Sequence, residues 1–166
     1  MQLKKLSVED GIDIFNMLQD IGVKENSFTN PVHGMSYFEF KKWLVRQDQW
    51  SRGENLPDGF VAESVYWLYD DGPVGIGKIR HALTDHSRLV GGNIGYAISS
   101  KYRNQGYGKK LLSLLLQEAK QLEVSEIVLT VDKYNEASKK VIEANGGKMY
   151  FENNERWFFS FNPQCI

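Results

Sequence analysis

The sequence predicts a mixed α/β sandwich of the α+β class, with a central, mostly antiparallel sheet that contains one parallel β–α–β crossover and is flanked by helices. Two observations lead to this prediction. Apolar residues recur at helical spacing within residues 1–60, whereas strand-forming runs separated by turn signals begin at residue 61. A strand, a long amphipathic helix and a continuously apolar strand then follow one another across 93–131, which is the order of a crossover unit.

The length and the absence of a long Pro-, Gly- or Ser-rich stretch predict one domain. A chain of 166 residues can bury a complete core without disulfides or metals. We therefore expect a single domain over 1–166, with a helical region at 1–60 and a sheet-containing core at 61–161.

The first half of the chain carries clear start and stop signals. Residues 2–6 alternate and predict a short strand, after which Ser7 is suited to cap a helix. Gly22 predicts the end of that helix, the segment 24–34 predicts a loop, and Ser36 predicts the cap of a second helix.

The second half alternates between strand and helix signals. Two neighbouring runs predict an antiparallel hairpin, and Asn135 predicts a helix cap. The predicted strands are 61–69, 74–81, 93–99, 126–131, 148–152 and 156–161, with a polar loop at 82–92. The predicted helices are 106–122 and one that follows the Asn135 cap and stops at Asn145-Gly146-Gly147.

Composition and charge narrow the expected partners and location. The formal net charge of −1 provides no global attraction to nucleic acid or to an acidic membrane, so neither is an expected partner. No apolar run approaches the ~20 residues of a membrane span, and none follows the N-terminal lysines as in a secretory signal. We expect a cytoplasmic protein. The lone Cys165 cannot form an internal disulfide, and no Cys/His spacing indicates a metal site.

The most informative segment is 98–110, where a strand ends, a basic loop follows and Gly106-x-Gly108 opens a helix. Unpaired N–H groups and the helix dipole make a helix start attractive to anions. Glycines let a phosphate approach the backbone closely. The positive residues of the segment raise the local potential further; they are Lys101, Arg103, Lys109 and Lys110.

Two common phosphate motifs do not fit this segment. A P-loop requires Ser or Thr after its Gly-Lys pair, but Lys110 follows Gly108-Lys109. A dinucleotide fingerprint requires a third glycine, and Leu111 stands in that position. The segment therefore needs another interpretation.

The pattern Arg103-x-x-Gly106-x-Gly108 resembles the pyrophosphate loop, Arg/Gln-x-x-Gly-x-Gly/Ala, of the GNAT family of N-acetyltransferases. After the next strand, Asn135-x-x-Ser138 is similar to a second segment of that family. The resemblance covers 61–161. It implies the acyl-CoA N-acyltransferase fold, acetyl-CoA as co-substrate, and direct transfer of the acetyl group to a primary amine in a ternary complex, with 1–60 as the variable acceptor side.

The resemblance also implies positions for acetyl-CoA. The backbone at the end of the strand would pair with the pantetheine arm, the loop N–H groups would hold the pyrophosphate, Asn135 would contact the pantetheine, and Ser138 would lie near the sulfur. The implied contacts are Ile98, Ser99, Arg103, Asn104, Gln105, Gly106, Tyr107, Gly108, Asn135 and Ser138.

In the family the two central parallel strands diverge and leave a slot for the thioester. Gly95 in the first of these strands would permit a bulge. A free backbone N–H of Ala97 or Ile98 would then bind the thioester oxygen as negative charge develops on it.

The acid and base are not determined by the sequence. Many relatives carry a tyrosine in the helix after the Asn-x-x-Ser segment, but Ile142 occupies that place. Ser138 or Tyr134 would assist through water instead. Glu63 and His81, on the strands expected to face the acceptor, are the candidate bases, although each also fits a structural role.

Three functions remain open at this stage. The first is an amine acetyltransferase whose acceptor is a small molecule or a protein amine, with a homodimer as an assembly to consider. The second is a non-catalytic module that binds acyl-CoA as a sensor, which the missing tyrosine keeps open. The third is an interaction domain that uses only its basic loop.

Overall fold

The structure is a computed structural model that describes residues 1–166 apart from the side chain of Cys165. Its strands are β1 Gln2–Lys5, β2 Lys24–Glu25, β3 Phe28–Thr29, β4 Glu63–Tyr69, β5 Pro73–Arg80, β6 Ile94–Ile98, β7 Ile127–Asp132, β8 Lys148–Glu152 and β9 Arg156–Phe161. Its helices are α1 Ile12–Gln19, α2 Tyr37–Ser51, α3 Asp85–Leu89, α4 Tyr107–Gln121 and α5 Glu136–Ala144. The predicted α+β fold is confirmed. Within the described residues, none of the helices has the length and apolar character needed to cross a membrane.

Helix α1 begins later and ends earlier than predicted. Ser7 does not cap it, because the Ser7 N–H instead donates to the Asp10 carboxylate at 2.8 Å and closes a separate turn. The same carboxylate accepts the Trp67 indole N–H at 2.7 Å, which ties this turn to β4. Gly11 is the N-cap residue, and the helix ends at Gln19, three residues before Gly22.

Two short elements lie where the sequence predicts loops. Between 24 and 29, Asn26 and Ser27 adopt left-handed φ values of 48° and 69°, and a tight turn joins β2 to β3. Within 82–92, Thr84 and Ser87 form a capping box that starts α3. Strands of two residues and a helix of five show no apolar period, so the prediction of loops there was wrong.

The strands form a four-stranded sheet, β1-β4-β5-β6, a three-stranded sheet, β7-β9-β8, and the two-stranded hairpin β2-β3. The two larger sheets meet beside Asn93. Its N–H donates to the Val128 carbonyl at 2.8 Å, and its side-chain oxygen accepts the Val128 N–H at 2.9 Å. From this junction β6 and β7 run in the same direction, because both begin there and both end beside the same cavity. The predicted parallel crossover is thus present, with its strands separated beyond the junction.

Gly92 permits the junction. A Cβ atom at this residue would lie 1.9 Å from the Val128 carbonyl oxygen, and the backbone has a φ of +70°. Gly95 does not play the role predicted for it. The pairing of β5 with β6 runs one-to-one through Gly95, so the expectation of a bulge there was wrong. Beyond the junction, no strand pairing joins β6 to β7 in the described part of the chain.

Two apolar cores lie on opposite faces of the four-stranded sheet. Helix α4 packs on one face and also contacts β7 and β9, which joins the two sheets. On the other face, α1 and α2 cover β4 and β5, with Trp43 and Trp67 fully buried. The cores hold the sheets as one body while leaving the gap between β6 and β7 accessible from its edge.

We predict that Asn93→Ala lowers the free energy of unfolding by roughly 1–3 kcal/mol. The substitution leaves the buried Val128 N–H without an acceptor, and unsatisfied buried donors cost about this much. Urea denaturation measures the change. Asn154→Ala, in the exposed turn between β8 and β9, is the matched control and should unfold like the unchanged chain. Equal stability of the two variants would contradict the role of the junction.

Candidate functional site

A cavity of about 640 Å³ lies between β6 and β7. Cavities of this size accommodate cofactors and drug-sized ligands. Strand β6 forms one wall, β7 and the first turns of α5 form the opposite wall, and the β2–β3 hairpin covers one side. The start of α4 lies at one end, so the basic loop opens directly into the cavity.

The hydrogen bonds of β6 alternate in direction. At one end the Arg80 N–H donates to the Asn93 carbonyl at 2.8 Å, and at the other the Ser99 N–H donates to the Val74 carbonyl at 3.0 Å. In an antiparallel pair, every second residue of a strand exchanges such bonds with its neighbour. The odd-numbered residues of β6 therefore bond to β5.

The even-numbered residues, Ile94, Tyr96 and Ile98, direct their backbone N–H and C=O groups away from β5 and toward β7. These groups form an open edge along the cavity wall. Of the two N–H groups predicted to be free, that of Ile98 lies on the open edge, whereas that of Ala97 belongs to the ladder. An extended ligand can add to this edge as an extra strand.

The basic loop presents the start of α4 to the cavity. Asn104 and Gly106 adopt left-handed φ values of 60° and 85°, and α4 begins immediately after Gly106. The first N–H groups of a helix lack carbonyl partners within it, so this end attracts anions. Arg103 lies alongside, where its Nε donates to the Ile98 carbonyl at 3.1 Å and its guanidinium pairs with Glu25 of β2.

The loop is anchored from behind by Asp20 at the end of α1. Its carboxylate accepts hydrogen bonds from the hydroxyls of Ser99 at 2.5 Å and Ser100 at 2.8 Å. Burial opposes the charge of Asp20, but the bonds from Ser99 and Ser100 outweigh this effect and lower its pKa. The buried Ser99 side chain thus holds the loop in place, and only its backbone is left for the contact predicted from the sequence.

Helix α5 brings two hydroxyl groups together inside the cavity. The Asn135 side chain accepts the Ser138 N–H at 3.1 Å and caps the helix, as predicted. The Ser138 hydroxyl lies 2.8 Å from that of Tyr96, which extends from β6. Burial raises the pKa of Tyr96 to about 12. Ile142, one turn further along α5, lines the cavity with an apolar side chain.

Sequence reasoning missed Tyr96. Its strand alternates, so Tyr96 reads as one more core residue between Ile94 and Ile98. The available signal was chemical, because a buried tyrosine hydroxyl needs a hydrogen-bond partner. That partner, Ser138, is 42 residues away in sequence, and its position follows only from the fold.

The β2–β3 hairpin is tied to the far wall of the cavity. The Ser27 hydroxyl donates to Asp132 at 2.5 Å and accepts from Arg156 at 2.8 Å, while the half-buried Arg156 forms an ion pair at 2.6 Å with the buried Asp132. This network joins the hairpin to β7 and β9. Tyr134 also donates to Asp132, at 2.9 Å, and its exposed side chain lies outside the cavity lining of the described chain.

The cavity includes most but not all of the predicted contacts. The predicted residues that line it are Ile98, Arg103, Asn104, Gly106, Gly108, Asn135 and Ser138. Among the residues that the structure describes, those outside the lining are Ser99, Gln105, Tyr107, Tyr134, Glu63 and His81. Tyr107 starts α4 and donates to Asp70 at 2.8 Å, so its side chain fixes the helix start against the β4–β5 turn. The functional roles of all these residues stay predictions.

Glu63 and His81 each have a structural partner. Glu63 pairs with Arg80 of the neighbouring strand at 3.4 Å. The His81 Nε2 lies 2.9 Å from the hydroxyl of the buried Ser64, and burial, assisted by Lys5, lowers its pKa. Neither side chain lines the cavity in the described chain, so either would need a water molecule to reach a substrate there.

Lys78 is a cation in the wall beneath the hairpin that sequence reasoning did not identify. Its ammonium group donates to the Thr29 carbonyl at 3.0 Å and lies 5.0 Å from the centre of the Phe28 ring. Burial lowers the pKa of Lys78, and the nearby Arg80 adds to this effect, while Glu63 opposes it. The Lys78 side chain thus faces the hairpin side of the cavity, where burial disfavours its charged form.

Metal ligands are not clustered in the described part of the chain, where no group of three or more His, Cys, Asp or Glu side chains could hold an ion. The cavity instead offers backbone N–H groups, basic side chains and hydroxyls. This donor set suits a ligand with a phosphate-bearing end and an extended amide-containing arm.

Comparison with known families agrees with this geometry. The sequence model of the acetyltransferase (GNAT) domain matches residues 1–148. The chain belongs to the GNAT acetyltransferase family. The match begins at residue 1, so the relationship extends through the helical region that resembled the family only in general character. No curated protein matches the sequence.

Solved structures of GNAT proteins share the fold. The ribosomal-protein-S5-alanine acetyltransferase of Vibrio fischeri has a TM-score of 0.71 at 16% identity, covering 96% of this chain and 91% of that one. A chimera of the spermidine N-acetyltransferase SpeG from Vibrio cholerae and hSSAT has a TM-score of 0.65 at 15% identity, covering 99% and 96%. The Campylobacter jejuni N-acetyltransferase PseH, solved with acetyl coenzyme A, has a TM-score of 0.59 at 14% identity, covering 96% of each chain.

We predict that His81 makes stability depend on pH below about 6.5. Its pKa is lowered in the folded chain, so the unfolded chain binds more protons as the pH falls through 6.5, and the folded state loses stability. Urea denaturation from pH 7.5 to 5 should show a smaller loss for His81→Gln than for the unchanged chain. Exposed His33 provides the control, because His33→Gln should keep the original dependence. Identical pH dependence of His81→Gln and the unchanged chain would refute the prediction.

Proposed function

We propose that this GNAT protein is an N-acetyltransferase that moves the acetyl group of acetyl-CoA directly to a primary amine within a ternary complex. The open edge of β6, which leads from a glycine-opened helix start into the cavity, is the observation that carries the proposal. A phosphate-bearing, extended thioester fits this combination better than a compact ligand, since the anion-binding end and the strand-like edge are continuous.

In this proposal the chain binds acetyl-CoA in two parts. The N–H groups at the start of α4, together with Arg103 and Lys109, hold the pyrophosphate. The backbone of Ile98 pairs with the pantetheine arm. The Ile98 carbonyl, which accepts a hydrogen bond from the Arg103 side chain, accepts one from an amide N–H of the arm instead. Asn135 and Ser138 contact the arm from α5.

The reaction requires a neutral amine and an oxyanion partner. The acceptor would enter from the hairpin side of the cavity, which residues 1–60 supply. Its amine nitrogen would then attack the thioester carbonyl. The outward N–H groups of β6 would bind the oxygen as charge develops on it. In its ammonium form, Lys78 would lower the pKa of an amine held beside it and so favour the neutral form of that amine.

The acceptor is proposed only as a class. The related structures include proteins named for spermidine and for an alanine of a ribosomal protein, so both small-molecule and protein amines occur among proteins with this fold. We propose action in the cytoplasm on such an amine rather than on nucleic acid, consistent with the net charge of −1. A homodimer remains an assembly to test.

A non-catalytic acyl-CoA sensor is the second candidate. The apolar Ile142 in the cavity wall favours the sensor, because α5 supplies no hydroxyl group at the position of Ile142. Release of CoA from acetyl-CoA in a screen of amines separates the two candidates: amine-dependent release identifies a transferase, and tight binding with no release by any amine identifies a sensor.

We predict that acetyl-CoA binds the unchanged chain and that the double variant Arg103→Ala, Gly106→Trp binds at least about tenfold more weakly, or 1.4 kcal/mol. The variant removes the loop guanidinium and places a large side chain at a left-handed residue beside the α4 start. Titration calorimetry measures both affinities. Arg52→Ala, on the exposed end of α2, removes an arginine away from the cavity and should leave the affinity unchanged. Absence of binding to the unchanged chain would overturn both candidate functions.

A further inference from the structure

We propose that Tyr96 is a catalytic residue: paired with Ser138, it donates a hydrogen bond to the sulfur of CoA as the thioester breaks. The inference rests on the proposed function and goes beyond it, because it assigns the stabilisation of the leaving group to a strand residue that faces α5. The observation behind it is the contact of 2.8 Å between the two hydroxyls inside the cavity.

The position of the hydroxyl pair follows from the path of an extended ligand. An arm that starts at the α4 end and adds to the open edge of β6 passes Ile98 first and Tyr96 next. The Tyr96 side chain crosses from β6 to the first turn of α5, where it meets Ser138. The end of such an arm is therefore enclosed between the strand and the helix, next to both hydroxyls.

The pair retains one proton for donation to a ligand. Two hydroxyls carry two protons, and their mutual hydrogen bond uses one of them. Either hydroxyl can donate in that bond, and when Ser138 donates to Tyr96, the Tyr96 proton is left for a ligand. The Ser138 N–H is already bonded to Asn135, so the backbone of that residue takes no part. The hydroxyls of Tyr134 and Ser27 are engaged elsewhere, since both donate to Asp132.

The chemistry calls for a donor that does not ionise. When the amine nitrogen bonds to the carbonyl carbon, the carbon–sulfur bond breaks and its electron pair stays on sulfur. A hydroxyl that keeps its proton stabilises this thiolate by a hydrogen bond, while the proton lost by the amine leaves to solvent. Burial raises the pKa of Tyr96 to about 12, well above the ~8.5 of a thiol, so Tyr96 donates without losing its proton.

The apolar Ile142 makes this assignment specific. It lines the cavity one turn beyond Ser138, so α5 offers Ser138 as its hydroxyl in this part of the wall. A strand residue then supplies the second hydroxyl from the opposite side. Tyr96 and Ser138 act as one unit, and removal of either should weaken the stabilisation of the thiolate.

The ionisation of bound CoA tests the inference without knowledge of the acceptor. CoA would be titrated from pH 6 to 10 in complex with the protein, and thiolate formation would be followed by ultraviolet absorbance, with the complex of desulfo-CoA as the blank. We predict that the thiol of bound CoA has a lower pKa than free CoA. The pKa should rise in Tyr96→Phe, so that about tenfold less thiolate is present at a given pH.

Two further variants exclude a merely structural effect. Tyr102→Phe removes the hydroxyl of another cavity-lining tyrosine and should leave the thiol pKa as in the unchanged chain. Ser138→Ala should shift it in the same direction as Tyr96→Phe, and it serves as the test if Tyr96→Phe fails to fold. Calorimetry establishes that each variant still binds CoA.

The outcomes separate the two levels of the proposal. If the unchanged chain does not bind CoA, the proposed function fails and the inference fails with it. If CoA binds but its thiol pKa is the same in the unchanged chain and in both hydroxyl variants, only the inference is overturned. A raised thiol pKa in Tyr96→Phe and Ser138→Ala, with Tyr102→Phe unchanged, supports the inference.

Discussion

The short junction at Asn93 is the constraint on which the rest of the structure depends. One residue bonds to Val128 through both its N–H and its side-chain oxygen, and Gly92 beside it leaves room for the contact. Beyond this contact no strand pairing joins β6 to β7 in the described part of the chain, so the two strands separate and the even-numbered backbone groups of β6 bond to no neighbouring strand. In a continuous sheet those groups would bond to β7, and the chain would have neither the cavity nor an edge for a ligand.

The remaining parts of the site keep this gap open and shaped. Helix α4 packs against both sheets and directs its N-terminus into the cavity, while Asp20 holds the preceding loop through two serine hydroxyls. On the hairpin side, Ser27 joins the ion pair of Asp132 and Arg156, so the hairpin is fixed across the gap. Buried charges of this kind persist where both partners are satisfied, and removing one partner is costly.

Local signals predicted the glycine-opened helix start at one end of the cavity, whereas the rest of the cavity depends on contacts between residues far apart in sequence. Gly106 sits at a helix start in a basic loop, and a few neighbouring residues suffice to show this. Tyr96 reads as a core residue until the fold places it beside Ser138. The hairpin at 24–29 is too short to show a regular alternation of apolar and polar residues. The directions of the Glu63 and His81 side chains depend on partners in adjacent strands. The order of strands and helices could therefore be predicted from the sequence, whereas the pair of hydroxyls in the cavity wall could not.

The most direct test of the central claim is amide hydrogen exchange of β6 with and without acetyl-CoA, resolved by residue. If the open edge binds the pantetheine arm, exchange at Ile98 and Tyr96 slows on saturation with acetyl-CoA. Gly95 and Ala97 already bond within the β5–β6 ladder and should change little, so they serve as internal controls. Unchanged exchange at Ile98 and Tyr96 under saturating acetyl-CoA would contradict the account, because the ligand would then occupy another surface.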